Sequence, residues 1–155
     1  MAIANGGVAI RPYRGGYELV DLSDLKMVPF KDRGRDRSGY DCYGLAMEVF
    51  RRYGIELLDY EGSCWDKKAI QATFEKWREQ WIAVDGEPPV PAMVVMKANS
   101  PEDINHVAVY IGNGRFIHTL DKVGVCFGEV FDPRWAKVIR GIFVPRWVNY
   151  GKIKG

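Results

Sequence analysis

Three residues of this chain are of types that could together carry out nucleophilic chemistry: Cys42, His106 and His118. Cys42 lies in "SGYDCYGLAMEVF", directly after Asp41 and at the head of a helical pattern. A thiol at a helix start meets unpaired backbone N–H groups and the positive end of the dipole, and both favour the thiolate. A thiolate nucleophile needs a base, and the base needs a third group to orient it. The chain has two histidines, both within "HVAVYIGNGRFIHT". In this reading His106 takes the thiol proton and returns it to a leaving amine, and His118 holds the His106 ring in the required tautomer. The backbone N–H of Cys42 would face the oxyanion. Residue type alone leaves a plainer reading open, in which Cys42 is buried packing and the strand histidines have no task. Cys64 and Cys126 have no partner histidine in this pattern and read as core packing.

The hairpin that carries the histidines decides whether they meet. "GNG" at 112–114 is a strong turn signal. A two-residue Asn113-Gly114 loop would pair Val109 with His118 and send the rings to opposite faces. A three-residue loop, with Gly114 in a left-handed bulge, would pair Ala108 with His118 and Val109 with Ile117. It would leave His106 and His118 diagonal on one face, ~7–8 Å apart at the backbone. The second register is preferred, because a one-residue slip mixes the apolar face of Val107, Val109 and Ile111 with the other face.

The elements around these residues follow from hydrophobic period. Leu45, Val49 and Phe50 recur at helical spacing and Gly54 is a natural stop, which predicts a helix over 42–53. Ile70, Phe74, Trp77 and Trp81 form the stripe of a second helix over 65–82. A short helix is expected near Ser23. "KDRGRDRSG" reads as a solvated loop, and residues 1–16 as an N-terminal arm. After "DGEPPVP" the period becomes two: "AMVVMK", "HVAVYI", "RFIHT", "GVCFGEV" and "KVIRGIFVPR" predict consecutive antiparallel strands. Helices followed by strands make an α+β fold, in a single domain over 17–155.

Composition narrows the function classes. With 22 basic and 20 acidic residues the net charge is +2, which does not suit a nucleic-acid partner. No stretch approaches the ~20 apolar residues of a membrane span, so no membrane insertion is expected. Three cysteines without motif spacing suggest neither a disulfide framework nor a metal site. No secretory signal is visible, so synthesis in the cytoplasm is the expectation.

Two segments resemble a known family. "GYDCYGLAMEVFRRYGIEL" is similar to the first signature of the NlpC-type cell-wall cysteine peptidases, and "HVAVYIGNGRFIHT" to their second. The resemblance implies a papain-like fold, with N-terminal helices packed on an antiparallel sheet of about five strands. It implies hydrolysis of peptide stems of peptidoglycan through an acyl-enzyme, with Cys42 as nucleophile, His106 as base and His118 as its partner. It implies no cofactor. "GRDRSGYDCYGL" and "DPRWAKVIRGIFVPRW" are similar to bacteriophage and prophage tail-associated members, which implies other tail proteins as partners and a place on the virion tail. The chain departs from the family pattern at three points. Tyr43 replaces a serine, Phe30 replaces a tyrosine, and "PVPAMVVM" stands where Gly-Asp is usual. Those lost hydroxyls leave Asp41 as the main polar group on that side, so Asp41, Tyr43 and Phe30 are the expected substrate-binding positions. Tyr43 either restores a hydroxyl or packs, with packing favoured. Rival readings are a tail-assembly protein that keeps the fold without catalysis, and a thiol acyltransferase on lipids, which the absence of a basic patch disfavours.

Overall fold

The computed structural model describes residues 3–4, 8–13, 16–59, 67–97 and 106–150, with side chains from residue 20 onward apart from 67, 69–71 and 74. The chain opens with three strands, β1 (Ile3–Ala4), β2 (Val8–Tyr13) and β3 (Gly16–Asp21), which pair in order as an antiparallel sheet. Most of the segment expected to be an arm is therefore strand. A 3₁₀ turn at Ser23–Leu25 follows, where a short helix was expected, and buries Leu25. The charged segment then folds into a hairpin, β4 (Arg35–Asp36) and β5 (Gly39–Tyr40), closed by the Asp36 carboxylate accepting from the Ser38 amide at 2.8 Å. Tyr40 also pairs with the backbone around Phe30.

The first long helix, α1 (Cys42–Arg52), begins and ends where its sequence directs. Asp41 is the N-cap, its side chain accepting from Gly44 N at 2.7 Å. At the other end Ile55 N donates to Phe50 O and Gly54 N to Arg51 O, both at 2.9 Å, with Gly54 at φ +84°. That is the Schellman arrangement, completed by buried Phe50 and Ile55. Leu45, Ala46, Val49 and Phe50 are buried on one face, and the Glu48, Arg51 and Arg52 ion pairs lie on the other.

The second helix is shorter than its stripe predicts. α2 (Lys67–Trp77) gives way to a 3₁₀ turn at Arg78–Gln80, and Trp81 opens a strand, β6 (Trp81–Ala83). Trp81 still reaches the core from there, stacked on Trp77 at 4.1 Å and edge-on to Phe50 at 5.8 Å. A Trp at i+4 therefore signalled contact with Trp77, which a strand satisfies as well as another helical turn.

The remaining elements are β7 (Ala92–Met96), β8 (His106–Gly112), β9 (Arg115–Leu120), β10 (Gly124–Glu129), the single-turn α3 (Pro133–Ala136) and β11 (Ile139–Pro145). One six-stranded sheet runs β10-β9-β8-β7-β11-β6, and every neighbouring pair is antiparallel. The expected five strands are all present, and β6 adds an edge. Helix α1 packs across β8 and β9. Strand β7 is buried along its whole length and β8 nearly so, so the sheet centre is covered on both faces.

Candidate active site

The histidine hairpin has the preferred register, reached by a different device. Val109 pairs with Ile117, as expected. The loop is the two-residue Asn113-Gly114 turn, with both residues at positive φ (54° and 74°). Ile111 is an extra residue on β8, bulged between the Tyr110–Phe116 and Gly112–Arg115 pairs. That bulge supplies the one-residue shift the turn does not. The Tyr110 hydroxyl braces the corner, donating to Glu87 and accepting from Gly114 N at 3.0 Å.

The register brings the rings together. His106 Nε2 and His118 Nδ1 are 2.9 Å apart, a direct hydrogen bond between buried imidazoles. Burial holds both below the ordinary histidine range, and the neighbouring His106 adds to the effect on His118. Both are therefore neutral at neutral pH. His118 is enclosed further by Phe116 and Trp135, each with its ring centre 4.8 Å away and nearly perpendicular. Trp135 sits on α3, and sequence reasoning gave it no role at the site.

Cys42 opens α1, half-buried, close enough to β8 for the backbone N–H of Val107, one residue past His106, to act on the thiol. Thiol and first imidazole thus occupy adjoining positions on α1 and β8. The helix start does not leave the thiol ionised. Burial raises it to about 11, and the Asp41 charge adds to the rise, against smaller opposing help from the Val107, Tyr43 and Cys42 amides. The expectation of a favoured thiolate is corrected on that ground: desolvation outweighs the helix dipole here.

Asp41 is fully buried, and its carboxylate is occupied by the fold. Beyond the Gly44 cap it accepts from Arg33 N at 3.1 Å and pairs with Arg35 Nη1 at 2.8 Å. Arg35 also bonds Asp59 and the Gly34 carbonyl, and these carboxylates raise its pKa against the opposing effect of burial. Far from being part of a solvated loop, Arg35 clamps β4 to the start of α1. Gly44 permits that approach, since a Cβ there would stand 2.1 Å from Gly34 O. Tyr43 is buried, its hydroxyl donating to the Leu58 carbonyl and lying near the Trp77 indole. It packs, as favoured, and lines a cavity of about 330 Å³ with Trp77, Trp81 and Trp147. Phe30 is half-buried beside β5.

The other two cysteines diverge. Cys126 stands directly across from His118 in the β9–β10 ladder, so it does have a histidine neighbour, contrary to expectation. Cys64 lies outside the described residues. Among the described residues no cluster of side chains could hold a metal ion, and no helix is long and apolar enough to cross a membrane.

Comparison with known proteins places this geometry in context. The NlpC/P60 family model matches residues 27–144. The murein DD-endopeptidase MepS/murein LD-carboxypeptidase of Escherichia coli (strain K12) is 27% identical over 116 residues, covering 74% of this chain and 54% of that protein. The chain thus spans about half the length of the curated relatives it matches. Among solved structures, an NlpC/P60 family protein from Bacillus cereus ATCC 10987 aligns with a TM-score of 0.57 at 17% identity, over 83% of this chain and 44% of that one. The NlpC/p60 domain of the peptidoglycan hydrolase SagA aligns with a TM-score of 0.50 at 21% identity, over 78% of this chain and 90% of that one.

Proposed function

This chain belongs to the NlpC/P60 family, and we propose that it is a cysteine peptidase or amidase that cuts peptide stems of peptidoglycan with Cys42, His106 and His118. The observation that carries the reading is the 2.9 Å bond between His106 Nε2 and His118 Nδ1, with His106 on β8 beside the Val107 amide that lowers the Cys42 thiol. For His106 to act as base, its Nδ1 must hold a free lone pair. Its proton then sits on Nε2 and is donated to His118 Nδ1, and His118 carries its own proton on Nε2.

The neutral thiol and neutral imidazole make the first step a coupled one. The sulfur attacks the stem carbonyl as His106 Nδ1 takes the thiol proton, so no standing thiolate is required. The C–N bond breaks as the imidazolium returns that proton to the leaving amine, leaving a thioester on Cys42. Water, deprotonated by His106, attacks the thioester, and the Cys42 thiol and a free carboxylate are released. The amides at the start of α1 are the natural donors to the oxyanion.

Of the three positions expected to grip substrate, Asp41 and Tyr43 are held by the fold, which leaves half-buried Phe30 as the remaining candidate. Digestion of purified sacculi by intact protein and by Cys42→Ala, read by mass spectrometry, tests the proposal. New stem fragments from intact protein alone are expected, and equal products or none from both would overturn it. The engaged Asp41 and Tyr43 favour a second reading, a tail-assembly protein that keeps the fold without catalysis. That reading predicts no fragments and undiminished tail assembly by Cys42→Ala. The location on a phage or prophage tail rests on the resemblance of "GRDRSGYDCYGL" and "DPRWAKVIRGIFVPRW". Immunogold labelling at the tail tip is the expected outcome, and unlabelled tails would remove it.

A further inference from the structure

An imidazole can serve His106 in one orientation only. Turning the His118 ring by 180° would replace Nδ1 with a carbon and abolish the 2.9 Å bond. Backbone register fixes where the ring is, and packing must fix which way it faces. Three rings meet at this corner, each nearly perpendicular to the other two: His118 with Phe116 at 88°, His118 with Trp135 at 81°, and Phe116 with Trp135 at 89°. Phe116 is wholly buried and belongs to the same strand as His118. Trp135 is half-buried and comes from outside the sheet, with its ring centre 4.8 Å from that of His118.

We propose that Trp135 is a positioning residue for His118: it closes over the imidazole, keeps water from it and holds the edge bearing Nδ1 toward His106. The proposal rests on the His106–His118 pair acting as described above. The turn that carries Trp135 is built to stay put. Pro133 opens α3, Asp132 caps it through Arg134 N at 2.9 Å, Trp135 N donates to Asp132 O at 2.9 Å, and Val138 N donates to Trp135 O at 2.9 Å. The titratable groups facing His118 are His106 on β8 and Cys126 on β10, while Asp132 and Arg134 of the α3 turn pair with each other. With Trp135 gone, water reaches the imidazole and its flipped orientation becomes accessible.

The test is ¹⁵N NMR of the histidine rings with steady-state kinetics on a muropeptide substrate, for intact protein, Trp135→Phe, Trp135→Leu and Trp135→Ala. The expected result in Trp135→Ala is a His118 titration midpoint shifted upward by about one unit or more, as desolvation is relieved. The Nδ1 and Nε2 signals of His118 should move toward a tautomer mixture. Catalysis should lose about 10- to 100-fold in kcat with KM within about twofold, the scale of a misplaced group. Trp135→Phe should restore most of both readouts and Trp135→Leu should not. If Trp135→Ala fails to fold, the Phe and Leu variants carry the comparison. Identical His118 signals in folded Trp135→Leu or Trp135→Ala and in intact protein would overturn the proposal. The NMR readout needs no turnover. A fixed His118 tautomer that Trp135→Ala releases, in a protein that cuts no muropeptide, would support positioning while overturning the peptidase reading.

Discussion

Replacing Arg35 with alanine removes the guanidinium that faces Asp41 across 2.8 Å while leaving the carboxylate fully buried at the start of α1. Removing one partner of a buried ion pair costs ~3–5 kcal/mol, because the remaining charge is left uncompensated. Two features reduce that figure here. The amides of Gly44 and Arg33 still donate to the carboxylate, and the Arg35 side chain is 24% exposed, so water can enter behind it. The expected cost is therefore about 2–3 kcal/mol. For a chain of this length that corresponds to a fall in melting temperature of about 5–10 °C. Asp41→Asn keeps a competent cap while deleting the charge, so the double variant should recover part of the loss. The assay is urea unfolding of intact protein, both single variants and the double, analysed as a cycle. A coupling energy above about 1 kcal/mol is expected for groups in direct contact. Arg35→Ala within about 0.5 kcal/mol of intact protein, or strictly additive variants, would refute the clamp.

Three further outcomes follow from the same geometry. Gly44→Ala places a Cβ 2.1 Å from Gly34 O, so backbone must separate, and a loss of at least ~1–3 kcal/mol in unfolding experiments is expected, with Cys42 displaced. A thiol near 11 has ~100-fold less thiolate at pH 7 than an ordinary one near 9, so Cys42 alkylation should keep accelerating past pH 9, and a plateau below pH 8 would contradict the burial argument. Stability should fall on acidification in a window above that of the carboxylates. Both histidines are depressed when folded, so their contribution is full above about pH 6.5 and is lost as pH drops toward their folded values. At pH 4.5 the loss is about 5 kcal/mol for the pair, and His106→Asn with His118→Asn should flatten thermal melts between pH 6.5 and 4.5.

What the amino-acid order determined by itself is what short-range forces decide. Asp41 and Gly54 bracket α1 because a cap and a left-handed stop act within a few residues of the chain. The histidine register was legible because alternating burial penalises a one-residue slip, although the sequence did not reveal that a bulge at Ile111, and not a longer loop, absorbs the shift. Five of the six strands of the main sheet were equally plain from their period. Trp81 was misassigned because its spacing from Trp77 reports contact, and the partner strand β11 that draws it into the sheet is more than fifty residues away. Only the tertiary structure decided how the site is charged and walled. Arg35 reads as solvent-facing until burial of Asp41 gives it a partner. Cys42 reads as an activated thiol until desolvation is weighed against the helix start. Cys126 and Trp135 reach His118 from separate elements that no local pattern connects. Ionisation and ring orientation depend on which groups exclude water together, and that is settled only when distant segments close over one another.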